Sequence, residues 1–248
     1  MSGKDGRILN NMAILRIVAT PIGNLEDISL RALRVLKESD SILCEDTRVT
    51  KHLLDHYGIK TPLISYHQHS GTMKVDKVIT LLREGKNLAL VSDAGTPGIS
   101  DPGSALVSVV REKLGSGVLV ESVPGASALG AALSIAGSGF DRFLFLGFLP
   151  HKKGRQTMIK QILASDYPAV VYESKHRIIR LLTELEKMSQ ADGKCLVVTV
   201  ARELSKLHES LYSGSPAEIS ETLQADPHNL KGEFVVLINK LGQKKYVD

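Results

Sequence analysis

The sequence predicts an α/β protein, and three observations lead to this prediction. Short apolar runs alternate with longer segments that have the period of about 3.6 residues typical of amphipathic helices. The alternation is regular in the N-terminal half, which predicts a parallel sheet with helices on both faces. Strand-like runs outnumber helix-like segments in the C-terminal half, which predicts a mixed sheet with hairpins. We therefore predict two domains, residues 13–122 and 123–240, between a disordered N-terminal segment (1–12) and a tail (241–248).

The N-terminal domain is predicted to alternate strands and helices without interruption. Its strands are the apolar runs ILRIVA, SILCE, LISYH, NLALVS and VLVESV. Asp27 or Ser29, both good N-cap residues, begins the first helix, and Gly58 and Gly85 end the second and third. A fourth helix follows a long loop and runs to about Gly115.

The C-terminal domain is predicted to open with a helix in VPGASALGAALSIAG, for which Ser127 is the predicted N-cap. Its strands are the runs FLFLGFLP, PAVVYES, CLVVTVARE, HESLYSG and GEFVVLINK. Ligands of open α/β sheets bind outside the carboxyl ends of the strands. The segments that follow the strands are therefore the candidate site.

The composition is that of a globular protein with a sizeable core. The chain of 248 residues is 43% hydrophobic and 23% charged, with a formal net charge of +4. A mildly basic surface suits an anionic partner such as nucleic acid, although proteins without such a partner are equally basic. With no Trp and 4% aromatic residues, the sequence argues against a protein that binds bases mainly by stacking.

Cysteine usage and the N-terminus indicate the compartment. Cys44 and Cys195 each lie in an apolar run, which favours two buried thiols in a reducing compartment over a disulfide. No CxxC occurs, so a zinc finger is not predicted. No apolar run approaches the ~18 residues of a membrane span, and no signal peptide is evident, so we expect a cytoplasmic protein without membrane contact.

The segment VSDAGTPGISDPG, residues 91–103, is longer than a strand needs to turn into a helix. From Ser92 to Gly103, five of the twelve residues are Gly or Pro, a composition that brings bare backbone close to a ligand. The phosphate-binding glycine motifs are absent, and the loop has no lysine. Its carboxylates, Asp93 and Asp101, suit a ligand with a positive charge or hydroxyl donors. An irregular surface loop is the alternative.

Charged residues follow two other strands of this domain. Glu45, Asp46 and Arg48 come after SILC, where a site with paired carboxylates competes with an ordinary helix cap and a surface ion pair. His67 and His69 lie two residues apart, which without a third ligand is weak evidence for a metal, and no metal is predicted.

Several of these segments, in this order, resemble the tetrapyrrole methylase superfamily: VATPIGNLEDIS, CEDTR, VSDAGTPGISDPG, VPGASA, FLGFLP, YESKHR, ARELSKLHE and KGEFVV. Within it they are similar to bacterial enzymes that methylate the ribose 2'-oxygen of a cytidine in 16S ribosomal RNA. The resemblance runs from about Ile14 to Lys240. It implies two α/β domains with S-adenosylmethionine in the cleft between them, and a homodimer.

The resemblance also implies a set of cofactor contacts, taken from the motif positions: Ile22, Gly23, Asp93, Thr96, Ile99, Ser127, Ala128, Tyr172 and Ala201. Tetrapyrrole-modifying members typically have a compact Gly-Asp-Pro motif where this chain has Asp-Ala-Gly-Thr-Pro. The type of cofactor contact is therefore transferred to this chain more safely than the exact position that makes it.

Methyl transfer to a ribose hydroxyl calls for a base or a hydrogen-bond acceptor, because the hydroxyl is a weak nucleophile. Asp46 and Glu45 are the candidates, with Arg48 suited to a phosphate, and Glu203 and Arg202 in the other domain are the second choice. Asp46→Asn is accordingly expected to lower turnover and to leave cofactor affinity nearly intact.

RNA contacts are expected to be mainly to phosphates, through Lys and Arg. Lys152, Lys153 and Arg155, in PHKKGRQ, form the strongest basic cluster, for which a solvated helix end is the alternative. The expected partner is 16S ribosomal RNA, either naked or assembled in the 30S subunit. A methyltransferase acting on a tetrapyrrole and a non-catalytic RNA-binding module remain as alternatives.

Overall fold

The computed structural model describes residues 12–66, 72–101, 103–137 and 139–240. The chain divides between Ser127 and Ala128 into two compact units, each built on a five-stranded sheet. The predictions of a disordered segment over 1–12 and of a tail over 241–248 concern residues that, apart from Met12, lie outside the described part of the chain.

The first unit contains a parallel sheet, as the sequence predicts. Its strands are β1 (Ala13–Val18), β2 (Ser41–Cys44), β3 (Leu63–Ser65), β4 (Leu88–Leu90) and β5 (Val118–Val123). Its helices are α1 (Leu30–Glu38), α2 (Thr47–His56), α3 (Thr72–Arg83) and α4 (Gly103–Leu114). The strand order is β3-β2-β4-β1-β5, and every pairing is parallel.

Alternating apolar residues explain why both faces of this sheet are covered. Along β2, Leu43 packs into one hydrophobic cluster, whereas Ile42 and Cys44 pack into another. Successive strand residues point to opposite faces, so each face has its own apolar layer for the helices to cover. The first helix begins after Ser29, whose side chain accepts a hydrogen bond from the backbone N–H of Ala32 at 3.0 Å.

The second unit contains a mixed sheet, again as predicted. Its strands are β6 (Leu144–Phe148), β7 (Ala169–Ser174), β8 (Leu196–Arg202), β9 (Ser210–Gly214) and β10 (Glu233–Lys240). Its helices are α5 (Ala128–Ile135), α6 (Arg155–Ala164), α7 (Ile178–Ala191) and α8 (Pro216–Ala225). The order is β6-β7-β10-β8-β9; β6 and β7 pair in parallel, and the other neighbours are antiparallel.

The two cysteines differ in burial, which corrects one expectation. Cys44 is buried in β2, but Cys195 is exposed, because β8 begins one residue later, at Leu196. Both thiols are free. No helix in the described part of the chain combines the length and the apolar character needed to cross a membrane.

Candidate active site

The loops that follow β1, β4 and β5 are tied together at the carboxyl edge of the first sheet. Thr20, after β1, exchanges two backbone hydrogen bonds with Gly95, at 2.9 and 3.0 Å. The Thr20 hydroxyl also donates to the carbonyl of Ser92 at 3.1 Å. The hydroxyl of Thr96 donates to the carbonyl of Ala126, after β5, at 3.0 Å. The three strand-end segments therefore form one connected group, as their positions in a parallel sheet predict.

Glycine is required at two points where these segments meet. Gly95 has φ +80°, and a Cβ there would lie 3.2 Å from Cγ2 of Ile22. A Cβ on Gly125 would lie 3.0 Å from Cβ of Ala19. Both contacts are tight for a side chain, so the glycines let bare backbone approach the loop after β1. Gly23, next to Ile22, is exposed.

Asp101 holds the long loop closed. Its Oδ1 accepts hydrogen bonds from the backbone N–H groups of Gly98, at 2.7 Å, and of Gly103, at 2.6 Å. Ser100 has φ +63°, which is uncommon for a residue with a side chain. Oδ1 of Asp101 thus fixes the start of α4 and is not available to a ligand. This corrects the expectation for that oxygen.

Asp93 differs from Asp101 because it is exposed. Its Oδ1 accepts one hydrogen bond, from the backbone N–H of Asp46 at 3.1 Å. No salt bridge involves Asp93 among the residues that the structure describes. This carboxylate can therefore accept hydrogen bonds from a ligand. Ile99, later in the loop, is half-buried.

Asp46 is occupied as the N-cap of α2 and as the partner of Arg48. It accepts from the backbone N–H of Arg48 at 2.8 Å, and its two carboxylate oxygens accept from Nε and Nη2 at 3.0 and 2.7 Å. The side-chain and backbone hydrogen bonds from Arg48 lower the pKa of Asp46 to about 2. A carboxylate with so low a pKa is a weak base. The Arg48 side chain is 89% exposed.

Glu45, beside it, has the opposite environment. Burial is the main cause that raises the pKa of Glu45, and the negative charges of Asp93 and Asp101 raise it further. Of the two adjacent carboxylates, Glu45 is therefore the stronger base. This reverses the order in which the sequence alone ranks Asp46 and Glu45.

In the second unit, Tyr172 on β7 lies within an aromatic group. Its ring centroid is 5.1 Å from that of Phe145 and 5.5 Å from that of Phe148, both edge to face. Burial raises the pKa of the half-buried Tyr172. Ala201, on β8, has no exposed surface, which leaves no area for a ligand and contradicts the expected contact with adenosine.

Arg202 and Glu203, the second choice for catalysis, are used by the fold. The buried Arg202 guanidinium donates to several acceptors, among them the carbonyls of Lys231 at 2.8 Å and His228 at 2.7 Å. It is therefore not available to a substrate. Glu203 has φ +53° and accepts from Lys206 at 2.9 Å and from the backbone N–H of Glu233 at 3.0 Å. Burial alone would raise the pKa of Glu203, but these two hydrogen bonds lower it overall.

The basic cluster is smaller than the sequence suggests. Lys152 and Lys153 are exposed, but Arg155 is 1% exposed and pairs with Glu173 and Glu184. Its guanidinium is therefore unavailable to a phosphate, which corrects the expectation for Arg155.

Ser127 and Ala128, at the start of α5, are half-buried. His67 and His69 lie outside the described residues. Within the described ranges, no group of three or more His, Cys, Asp or Glu side chains is arranged to hold a metal ion.

The residues that hold the loops in place were not predicted from the sequence. Thr20 is a buried polar residue directly after an apolar strand, and this position was a usable signal. The aspartate in SDPG is a familiar turn former, which could have indicated the role of Asp101.

A family model described as tetrapyrrole (corrin/porphyrin) methylases matches residues 15–220. Proteins named ribosomal RNA small subunit methyltransferase I are similar along most of the chain. The protein from Pasteurella multocida is 42% identical over 232 residues, covering 93% of this chain and 80% of its own. The protein from Escherichia coli O157:H7 is 44% identical over 230 residues, covering 92% and 78%.

Solved structures confirm the fold class. A diphthine synthase superposes with a TM-score of 0.68 at 16% identity, covering 91% of this chain and 90% of its own. The methyltransferase CobJ superposes with a TM-score of 0.66 at 17% identity, covering 95% and 97%. At these identities the likeness extends to the fold alone.

Proposed function

The chain belongs to the tetrapyrrole (corrin/porphyrin) methylase family and is a methyltransferase, and from this premise we propose that it methylates a cytidine ribose 2'-oxygen in 16S ribosomal RNA. The observation that carries the proposal is the similarity, over about nine tenths of the chain, to proteins named for the small-subunit ribosomal RNA. Methyltransferases of this family use S-adenosylmethionine in general. We propose the same methyl donor here.

The loops of the first unit fit this cofactor. The exposed Gly125 provides bare backbone, Ile22 provides an apolar surface, and the exposed Asp93 provides an acceptor for hydroxyl or ammonium donors. S-adenosylmethionine has groups that suit the last two features: a flat ring for the apolar surface, and hydroxyl and ammonium donors for the carboxylate.

We propose cofactor contacts from the loop after β1, the long loop and the start of α5: Ile22, Gly23, Asp93, Thr96, Ile99, Ser127 and Ala128. Since the Thr96 hydroxyl already donates to Ala126, its contact is assigned to the backbone. Tyr172 is proposed as a contact in the second unit, because its ring is half-buried beside two other aromatic rings.

Glu45 is proposed as the base. The sulfonium supplies a good leaving group, so the chain has to orient the hydroxyl and accept its proton. When bound, S-adenosylmethionine would supply the methyl group and keep the electron pair of its bond to sulfur, and the Glu45 carboxylate would accept the proton of the ribose hydroxyl. The raised pKa of Glu45 makes it the better acceptor, while Asp46 is held by Arg48.

Exposed cations are proposed to bind the RNA backbone. Lys152 and Lys153 in the second unit, and Arg48 in the first, are exposed and can meet phosphates. We also propose a homodimer, on the strength of the family resemblance; the sedimentation coefficient of the purified protein tests this.

The reaction is tested with methyl-labelled S-adenosylmethionine and three acceptors: 30S subunits from cells that lack the protein, deproteinised 16S RNA, and a tetrapyrrole precursor. The RNA is then digested and its ribose methylation mapped. Label at one cytidine 2'-oxygen is expected. Label in the tetrapyrrole with none in either RNA sample would replace the proposed acceptor with a small molecule.

A further inference from the structure

The loop between β6 and α6 rests on three arginines of the second unit. Three guanidinium groups each donate to one of three successive carbonyl oxygens: Arg177 to Leu149 at 2.8 Å, Arg155 to Pro150 at 3.5 Å and Arg180 to His151 at 3.2 Å. Successive carbonyls of an irregular segment seldom have three charged donors, since most loop carbonyls bond to water or to backbone. The backbone of residues 149–151 is therefore held from one side.

Two glutamates hold these arginines in turn. Glu173, which is 0% exposed, pairs with Arg155 at 3.3 Å and with Arg177 at 2.8 Å. Glu184 pairs with Arg155 at 2.7 Å and with Arg180 at 2.9 Å. Each carboxylate is thus shared by two guanidinium groups, and Arg155 joins the two halves. A network of this kind fixes side chains more firmly than an isolated surface pair.

The next residues of the same loop are the exposed lysines. Lys152 and Lys153 come directly after the carbonyl that Arg180 binds, and both are exposed. Gly154 has φ +87° and ends the loop, and the backbone N–H of Arg155 donates back to the carbonyl of Lys152 at 3.3 Å. The backbone is therefore anchored on both sides of the lysines. With three arginines and two glutamates, the network itself has a formal charge of +1.

We infer that Arg155, Arg177 and Arg180 are positioning residues that hold the 149–153 loop in one conformation for binding RNA phosphates through Lys152 and Lys153. The inference rests on the proposed function, because the partner is RNA. Ordering a loop during binding weakens affinity. A loop that is already ordered avoids this loss, so the arginines strengthen RNA binding without touching RNA.

Arg180 is the position that tests this, since it is half-exposed and its replacement leaves the buried pairs of Glu173 in place. Arg180→Lys keeps the charge but cannot hold Glu184 and the His151 carbonyl together in the planar geometry of a guanidinium. If Arg180 itself contacted phosphates, Arg180→Lys would largely retain RNA binding. If it positions the loop, Arg180→Lys lowers RNA affinity.

The experiment measures the binding of 16S ribosomal RNA against salt concentration for four proteins. We expect Arg180→Lys to bind on the order of five- to ten-fold more weakly at an unchanged salt slope, because the phosphate contacts remain. Lys152→Ala/Lys153→Ala should lower both the affinity and the steepness of its salt dependence, the slope by about 1.4 to 1.8. Arg34→Lys is the matched control, since Arg34 forms the same i,i+4 pair with Glu38 but no carbonyl contact among the described residues.

Amide hydrogen exchange of residues 149–154, measured without RNA, is the second readout. Exchange in this segment should be several-fold faster in Arg180→Lys than in the wild type or Arg34→Lys. Wild-type RNA affinity in Arg180→Lys, with or without faster exchange, would overturn the positioning role. A wild-type protein that fails to bind ribosomal RNA would instead overturn the proposed function, which separates the two failures.

Discussion

The backbone N–H of Asp46 donates a hydrogen bond to Oδ1 of Asp93 at 3.1 Å, and this contact joins the loop after β2 to the long loop after β4. It brings Glu45 near two carboxylates of the long loop, Asp93 and Asp101, whose charges add to the effect of burial on its pKa. One short sequence thus contains a carboxylate with a raised pKa next to one whose pKa is about 2. The two are separable by experiment.

Glu45→Gln is expected to lower turnover by about 10²- to 10⁴-fold, the usual contribution of a general base, with little change in cofactor affinity. Activity of the wild type should fall as pH drops through the raised pKa of Glu45, because the protonated carboxyl cannot accept the proton. The pH dependence of kcat for both proteins, with saturating RNA, measures this.

Asp46→Asn is the matched control, since asparagine also caps helices well. Its turnover should stay within a few-fold of the wild type, contrary to the expectation from sequence alone. If Asp46→Asn loses activity as severely as Glu45→Gln, or if Glu45→Gln retains it, Glu45 is not the base.

Glu45→Gln should also raise stability, by an amount that depends on pH. A carboxyl whose pKa is raised on folding stabilises the fold below its ordinary pKa, and this contribution is lost as pH rises through the raised value. At pH 7 the free energy of unfolding of the variant should therefore be up to about 1 kcal/mol higher than that of the wild type. Near pH 4 the difference should vanish. Urea unfolding at the two pH values checks this, and equal differences at both would contradict it.

Asp93 and Asp101 should respond differently to truncation, although both lie in the long loop. Asp93→Ala removes an exposed acceptor and is expected to weaken S-adenosylmethionine binding about 10- to 100-fold with little effect on stability. Asp101→Ala leaves the N–H groups of Gly98 and Gly103 without their acceptor and should lower the free energy of unfolding by about 1–3 kcal/mol.

Calorimetric titration with the cofactor and urea unfolding separate these two effects. Asp101→Asn, which keeps an oxygen acceptor, should recover much of the stability. Asp93→Ala with wild-type cofactor affinity would remove Asp93 from the proposed contacts.

The parallel sheet and the site at its edge could be predicted because local patterns encode them. Apolar runs such as LALV identify buried strands, and the glycines of the long loop indicate close approaches, one of which Gly95 makes to Ile22. Strand order and the contact between Thr20 and Gly95 depend instead on the tertiary structure. The two residues of this contact are 75 positions apart in the sequence. No local pattern specifies that contact.

The environments of individual charges could not be predicted for the same reason. Arg155 lies in a basic, polar run, yet it is buried because Glu173 and Glu184, 18 and 29 residues away, surround it. Glu45 and Asp46 are chemically similar neighbours, and they are distinguished by the burial of Glu45, by the nearby charge of Asp93 and by the pairing of Asp46 with Arg48. Burial and pairing of charges depend on distant residues, so composition alone misplaces them.

Gly95→Ala should disturb both the fold and the cofactor site. The substitution introduces strain at φ +80° and a Cβ 3.2 Å from Cγ2 of Ile22, so we expect a loss of about 1–2 kcal/mol in the free energy of unfolding. Gly58→Ala is the control, because Gly58 has φ +62° and open space around it.

Gly95→Ala should lose more stability than Gly58→Ala, and it should also bind the cofactor more weakly. Gly58→Ala should bind the cofactor normally. Thermal unfolding and calorimetric titration of both variants measure this. Equal losses of stability would show that the contact with Ile22 is unimportant.

Glu173→Gln tests the cost of breaking a buried ion pair in the second unit. The carboxylate is fully buried and has two partners, Arg155 at 3.3 Å and Arg177 at 2.8 Å. Removing its charge leaves the Arg155 guanidinium, whose Nη2 has no hydrogen-bond partner within the described part of the chain, buried with less compensation. We expect the free energy of unfolding to fall by about 3–5 kcal/mol.

Glu184→Gln, at a carboxylate that is 20% exposed, should cost less because water can replace part of the interaction. Urea unfolding of the two variants gives the comparison, and a larger loss for Glu184→Gln would mean that the network depends on its exposed half.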